Sequence, residues 1–398
     1  MRFSWSGASL PTLALVGLFA LSFAAGVVAC SSSDETTKPA AITTPKDGGA
    51  PTDAGGTVTT TPDADAAPVV SLEPYRIVGR FDSRDAAGPR FGWPGTQVIA
   101  KFTGDKISVD LGDTSGEDQF DVSIDGKDPT LLKVDSKEKK TYELASGLAA
   151  GEHTLVLTKR TESSVGETQL FKINATLSGT PPPAARRIEM IGDSITAGYG
   201  VLGADSSCTF SADTEDESFA WGALTAKELG AVHTAIAWSG IGLVQNFEGE
   251  TTEEMPDKYG RALGTDPAST WTPSQFEPDV IVLALGTNDL GGQGTDPGDA
   301  FQTKLVAFLA TIRTAHHDSN IVLATSPMLD GDKKAEQKKF FQGALDARKL
   351  AGDAKITLLD IDTITDAEGF GCDFHPSKTT QARMSKALVP HIKMLTGW

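Results

Sequence analysis

The sequence has few of the residues that nucleic-acid binding or metal binding would need. Its 35 Lys and Arg residues are outnumbered by 53 Asp and Glu residues, for a formal net charge of −18, and they form no basic stripe. This argues against a nucleic-acid partner, because binding a phosphate backbone depends on clustered cations. The 6 His and 3 Cys residues show no metal-ligand spacing. We therefore expect neither a metal nor a cofactor.

Long apolar runs are absent beyond the N-terminus, where one extends over residues 10–29 after Arg2 and ends at Cys30. This pattern predicts an export segment. Val-Val-Ala-Cys at 27–30 resembles the lipobox of bacterial lipoproteins. The resemblance implies a signal peptide over residues 1–30, with Cys30 lipidated and anchored to a membrane. An ordinary signal peptide or an uncleaved anchor helix is the alternative. We expect an exported protein in the periplasm or on the cell surface.

Residues 31–72 are rich in Ser, Thr, Pro, Asp, Ala and Gly and poor in large apolar side chains. Such a segment buries too little to fold, so it is interpreted as a flexible tether. If lipid consumes Cys30, Cys208 and Cys372 remain as an even pair in a compartment that permits disulfides. We expect them to form a bridge, and two buried free thiols are the alternative.

Residues 73–179 contain short alternating runs separated by turn residues, which predicts an all-β sandwich. Asp125-Gly126 is a typical hairpin turn. The domain offers no obvious catalytic group. Trp93 is interpreted either as a surface for sugar stacking or as a core residue between domains. His153 is expected to be a hydrogen-bonded strand residue, and the proline-rich residues 180–186 a short linker.

Strands and helices alternate over residues 187–398, which predicts an α/β domain with a mostly parallel sheet. The apolar run 188–191 leads into Asp193 and Ser194. A strand that ends in a tight turn there would place Ser194 at the edge where open α/β sheets bind ligands. A serine nucleophile needs a base within hydrogen-bond reach and donors for the oxyanion. The alternative is a serine that only begins a helix.

Four stretches resemble the sequence blocks of the SGNH or GDSL hydrolase superfamily, in the same order. They are Gly-Asp-Ser-Ile-Thr at 192–196, Ser-Gly-Ile-Gly at 239–242, Gly-Thr-Asn-Asp at 286–289 and Asp-Phe-His-Pro at 373–376. The resemblance implies a flavodoxin-like domain with three layers and a parallel sheet.

The superfamily resemblance also implies a role for each block. Ser194 would be the nucleophile and His375 the base. The backbone N–H groups of Ser194 and Gly240, with the Asn288 side chain, would form the oxyanion hole. The superfamily usually has its aspartate three residues before the histidine, where this sequence has Cys372. Asp373 is expected to orient the imidazole, and a main-chain carbonyl is the alternative.

Residues 371–376, residues 208–210 and the preceding sandwich together resemble carbohydrate esterase family 2. The resemblance implies a jelly-roll-like sandwich beside an SGNH domain. It also implies a serine esterase that removes O-acetyl groups from xylan or related plant polysaccharides through an acetyl-serine intermediate. One alternative is another SGNH acyl hydrolase, acting on cell-wall O-acetyl groups or short-chain lipid esters. The other is a surface lipoprotein that binds glycan without catalysis.

Overall fold

The computed structural model describes residues 71–72 and 74–398. The predicted signal peptide, Cys30 and the tether up to residue 70 lie outside the described residues. At the end of the predicted tether, Ser71 and Leu72 differ from the expectation, because they form a strand paired with Tyr75 and Arg76. No helix in the described part of the chain is long and apolar enough to cross a membrane.

The first domain is a nine-stranded antiparallel sheet structure that follows the predicted alternation of apolar and polar residues. Its strands are β1 (Ser71–Leu72), β2 (Tyr75–Val78), β3 (Arg90–Phe91), β4 (Gln97–Asp113), β5 (Asp118–Ile124), β6 (Thr130–Val134), β7 (Lys140–Ala145), β8 (Glu152–Lys159) and β9 (Thr168–Gly179).

Strand β4 connects the parts of this domain. The strand continues through Gly104, whose φ of +124° suits glycine. Residues 97–103 of β4 pair with β8 and residues 107–111 pair with β7. The predicted hairpin turn is confirmed, since Asp125 and Gly126 both have positive φ.

The structure shows the surroundings of Trp93 and His153 in the first domain. Trp93 is 1% exposed and belongs to the hydrophobic core of the second domain. The sugar-stacking interpretation is therefore wrong, and Trp93 is an inter-domain core residue. His153 is held between the Asp125 carboxylate at 2.7 Å and the Ala149 carbonyl at 2.9 Å, as expected for a satisfied strand residue.

The second domain has the predicted α/β alternation. Its elements are β10 (Arg187–Gly192), α1 (Ser194–Ala197), α2 (Trp221–Leu229), β11 (Val232–Ala237), α3 (Met255–Lys258), β12 (Val280–Ala284), α4 (Thr287–Gly291), α5 (Asp299–Ala315), β13 (Asn320–Ala324), α6 (Gly331–Leu350), β14 (Ile356–Leu359) and α7 (Lys378–Thr396).

The five strands of this domain are parallel and lie in the order β11-β10-β12-β13-β14. Strand order reverses beside β10, and the crevice outside the carboxyl ends of the strands at such a reversal is the usual ligand site of an open α/β sheet. One apolar cluster contains Phe301 and Phe341, and another contains Trp221 and Leu388. The α/β class and the preceding all-β domain are both confirmed.

A buried ion pair connects the first domain to strand β10, which leads to Ser194. Arg80 follows β2, and its guanidinium lies 3.2 Å from the carboxylate of Glu189 on β10, with both side chains 2% exposed. The Tyr259 hydroxyl donates to the same carboxylate at 2.8 Å. Breaking a buried pair leaves an uncompensated charge, which typically costs about 3–5 kcal/mol. The strand that leads to Ser194 is therefore anchored to the first domain.

Candidate active site

Ser194 and His375 lie in direct contact. Ser194 is the first residue of α1, directly after the turn that ends β10, and His375 lies in the loop before α7. Ser194 Oγ and His375 Nε2 are 2.8 Å apart. The Asp193 side chain accepts a hydrogen bond from Ile195 N at 3.0 Å and so caps α1. The contact between Ser194 Oγ and His375 Nε2 is the geometry of a serine activated by a neighbouring base.

Main-chain carbonyls hold the other nitrogen of the imidazole. His375 Nδ1 lies 3.2 Å from the Cys372 carbonyl oxygen and 3.1 Å from that of Asp373. Asp373 and Phe374 have φ of 52° and 62°, a conformation that non-glycine residues rarely adopt. The free-energy cost of this backbone conformation is offset by surrounding contacts, as is common at functional sites. The carbonyls fix Nδ1 as the protonated nitrogen, which leaves Nε2 free to accept the serine proton.

The Asp373 carboxylate forms no hydrogen bond with the imidazole, so the expectation that it orients His375 is corrected in favour of the main-chain alternative. Its Oδ2 accepts hydrogen bonds from the Tyr199 hydroxyl at 2.7 Å and from Phe210 N at 3.0 Å. The physical reason is the left-handed backbone at Asp373, where the carbonyl lies at Nδ1 and the carboxylate is bonded elsewhere. Tyr199 in turn stacks on His375, with ring centroids 4.1 Å apart.

A disulfide fastens the loop that carries His375. Cys208 and Cys372 are bonded, which confirms the predicted bridge. Cys372 N also donates to the Gly200 carbonyl at 3.0 Å, and Asp373 N to the Cys208 carbonyl at 3.0 Å. The bridge therefore joins the histidine loop to the segment that follows the serine helix.

The parallel sheet brings the predicted oxyanion-hole donors to one edge. Gly192 on β10 pairs in register with Ala237 on β11 and with Ala284 on β12. Gly240 and Asn288 follow those two strands by a few residues, as Ser194 follows β10. The Asn288 amide also donates to the Ile241 carbonyl at 2.6 Å, which ties it to the glycine block.

Free N–H groups remain for a ligand at this edge. Among the described residues, neither the Ser194 N–H nor the Gly240 N–H donates a hydrogen bond to the chain. The Asn288 amide has a second N–H beyond the one bound to Ile241. Together they supply the neutral donors that an oxyanion hole requires.

Two buried carboxylates that the sequence analysis missed hold the glycine block and the three residues directly after it. Asp289 accepts from the N–H groups of the three residues Leu243, Val244 and Gln245 at 2.7–3.2 Å. Its place beside Asn288 could have suggested this role. Glu162, from the first domain, accepts from Ser239 N at 2.6 Å. No sequence signal reveals that contact, because it crosses between domains.

An open cavity of about 410 Å³ adjoins Gly240. Exposed Phe247 lies on its wall, and Phe374 is exposed beside His375. Thr252 and Lys258 also line this cavity. The described residues contain no group of three or more His, Cys, Asp or Glu able to hold a metal.

Family models match both domains of the chain. Carbohydrate esterase 2 N-terminal matches residues 77–184, and the GDSL-like Lipase/Acylhydrolase family matches residues 190–383. The boundary between the two matches falls close to the start of β10.

Individual relatives extend over most of the chain. It is similar to the cellulase/esterase CelE of Acetivibrio thermocellus, with 34% identity over 80% of this chain, and spans 39% of the length of CelE. An acetylxylan esterase / glucomannan deacetylase of Cellvibrio japonicus is 29% identical, with 83% of this chain and 91% of that protein covered.

A solved structure shares the two-domain architecture. It is a family two carbohydrate esterase from Clostridium thermocellum in complex with cellohexaose, with 34% identity and a TM-score of 0.76. The match covers 81% of this chain and 99% of that one.

The first prediction concerns Asp373. We expect Asp373→Asn to lower kcat less than about tenfold, because the carboxylate forms no hydrogen bond with the imidazole, whereas losing the aspartate of a serine triad costs about 10⁴-fold. The measurement is p-nitrophenyl acetate hydrolysis, with His375→Ala as the inactive control. A loss in the thousands for Asp373→Asn would restore the carboxylate as the orienting group.

The second prediction concerns pH. Burial lowers the pKa of His375 from its ordinary value to about 4. A general base must be neutral, so the lowered pKa keeps His375 competent at more acidic pH. We expect kcat/KM to hold as pH falls through 6.5 and to decline with a midpoint near 4. Circular dichroism at each pH controls for unfolding, and a midpoint near 6.5 in folded protein would contradict the prediction.

Proposed function

The chain belongs to carbohydrate esterase family 2 and is a carboxylic ester hydrolase of the SGNH type, and from this premise we propose that it removes O-acetyl groups from xylan or a related plant polysaccharide. The observation that carries the proposal is the 2.8 Å contact between Ser194 Oγ and His375 Nε2, at the edge where the oxyanion-hole donors meet. The named activities of the relatives support the choice of acetylated polysaccharide.

In the proposed reaction, Ser194 Oγ attacks the acetyl carbonyl carbon while His375 Nε2 takes the hydroxyl proton. The carbonyl electrons move to oxygen, and the N–H groups of Ser194, Gly240 and Asn288 stabilise that charge. Collapse breaks the bond to the sugar oxygen, which receives the proton from His375. Water then attacks the acetyl-serine by the same path, so acetic acid leaves and Ser194 is regenerated.

The surface around the site favours a neutral sugar polymer. Phe374 is 58% exposed and Phe247 is 44% exposed, and exposed aromatic rings offer the flat apolar face that a pyranose ring covers. Glu248 and Glu250 line the cavity beside Gly240, and neither forms an ion pair with a described residue. Their negative charge, with the formal net charge of −18, disfavours anionic substrates.

The third prediction tests this function. A chain that keeps β1, starting just before Ser71, should release acetate from acetylated xylan, and Ser194→Ala should abolish that release because the acetyl group then has no nucleophile. Acetate is measured enzymatically, with an acetylated monosaccharide and p-nitrophenyl esters of increasing chain length as comparison substrates. Cleavage of p-nitrophenyl acetate without release from any sugar would support another SGNH acyl hydrolase. Glycan binding by an inactive wild-type protein would support a binding lipoprotein.

We also propose that Cys30 carries lipid and holds the enzyme to a membrane, at the cell surface or in the periplasm. The support is the sequence before the cysteine, Val-Val-Ala, and the Ser-, Pro- and Gly-rich segment after it. Such a segment would let the hydrolase reach a polymeric substrate from an anchored position.

The fourth prediction tests the anchor. Cys30→Ala in the full chain should move the protein from the membrane fraction to the soluble or secreted fraction, because no acyl chain can be attached. Immunoblots of the fractions measure this, with Cys208→Ala as a matched control that should stay with the membrane. Retention of Cys30→Ala at the wild-type level would refute lipidation as the anchor.

A further inference from the structure

The glycine block of the active site is fixed by a residue of the other domain. Glu162 lies in the connection between β8 and β9, is 1% exposed, and accepts from Ser239 N at 2.6 Å. Ser239 immediately precedes Gly240, whose N–H is free and whose φ is +77°. Beyond Gly240, Phe247 N donates to the Gly240 carbonyl at 2.8 Å. The backbone is therefore held on both sides of the Gly240 N–H: Glu162 binds the N–H of Ser239 before it, and Phe247 binds the carbonyl of Gly240 after it.

Glu162 is itself held in place. Its backbone N–H donates to Glu215 Oε2 at 3.0 Å, and its carbonyl lies 3.4 Å from Lys159 Nζ. Lys159 Nζ also lies 2.6 Å from Asp118 Oδ1, and both side chains are fully buried. These contacts fix the backbone of Glu162, and from that position its carboxylate accepts the hydrogen bond from Ser239 N.

Stability does not account for these groups. Asp118, Glu162 and Glu215 are all buried, and burial raises the pKa of each of their carboxyl groups, yet among the described residues only Asp118 forms an ion pair with Lys159. Glu215 Oε1 has no hydrogen-bond partner among the described residues. Buried ionic groups commonly contribute less to stability than apolar side chains of similar volume. A role in positioning the backbone explains the presence of these buried carboxyl groups better than a contribution to stability.

We infer that Glu162 is a positioning residue of the oxyanion hole, which fixes the Ser239 peptide so that the Gly240 N–H is directed at the developing oxyanion. The inference rests on the proposed function, because it assigns Glu162 to the transition state of that reaction. With this role for Glu162, the first domain contributes a residue that positions the active site. The role also gives a reason for the close contact of the glycine block with that domain.

A matched control exists at the same interface. Glu167 also belongs to the first domain, is 6% exposed, and accepts from a backbone N–H of the second domain, that of Thr265, at 3.1 Å. It contacts a loop outside the four sequence blocks. Glu162→Ala and Glu167→Ala therefore remove comparable inter-domain contacts, and only the first releases the glycine block.

The fifth prediction compares these variants. Loss of an oxyanion donor costs about 10²–10³-fold in kcat, so a misdirected donor in Glu162→Ala should cost about 10–100-fold with KM little changed. Affinity for methylboronic acid, which forms a tetrahedral adduct with a serine nucleophile, should fall by a similar factor. Glu162→Gln keeps an acceptor oxygen and should recover most of the loss. Glu167→Ala should retain wild-type kcat and boronate affinity.

The measurements are p-nitrophenyl acetate kinetics, boronate inhibition and the midpoint of thermal unfolding for each variant. If Glu162→Ala does not fold, Glu162→Asp keeps the charge but withdraws the acceptor by one methylene, and should show the same selective loss of kcat. Wild-type kcat and boronate affinity in folded Glu162→Ala or Glu162→Asp would overturn the inference and leave the esterase proposal intact. An inactive wild type would instead refute the proposed function, while boronate binding would still test the position of Gly240.

Discussion

The parallel pairing of β10 with β11 on one side and β12 on the other is the constraint on which the active site depends. It sets Gly192, Ala237 and Ala284 level with one another at the carboxyl edge of the sheet. The segments that follow these strands then carry Ser194, Gly240 and Asn288 to one place. A slip of one residue in this register would separate the groups and turn apolar strand residues out of their layers.

The first domain supports that edge through contacts between buried charged and polar groups. Arg80 forms an ion pair with Glu189 on β10, and Glu162 accepts a hydrogen bond from Ser239 of the glycine block. Apolar contacts alone are non-directional and would tolerate small shifts between domains. Hydrogen bonds and ion pairs are directional and do not tolerate such shifts, so the first domain fixes the position of the loops at this edge of the second domain.

Much of this organisation could be predicted from the sequence. The apolar run of β12 and the alternation of helices and strands identify a parallel α/β domain, and the four blocks identify Ser194, Gly240, Asn288 and His375. Their meeting could be predicted because each block follows a strand or lies in a loop near the same edge. Trp93 and Glu162 could not be placed, because their partners lie in the other domain and no local periodicity records them. The contact of Asp373 could not be predicted for a different reason. Its residue type suggests a carboxylate contact with His375, whereas the backbone conformation at Asp373 and Phe374 places main-chain carbonyls at the imidazole instead.

This arrangement of His375 changes how the transition state is stabilised. A carboxylate beside the imidazole would stabilise the imidazolium that forms when Ser194 loses its proton, whereas two carbonyl dipoles provide a weaker and more directional field. Burial lowers the pKa of His375, and the two carbonyl contacts and the charge of Asp373 offset that lowering only in part. In the proposed reaction, more of the stabilisation then comes from the donors that face the oxyanion. Two buried carboxylates hold the backbone on either side of Gly240, Asp289 from within the domain and Glu162 from outside it.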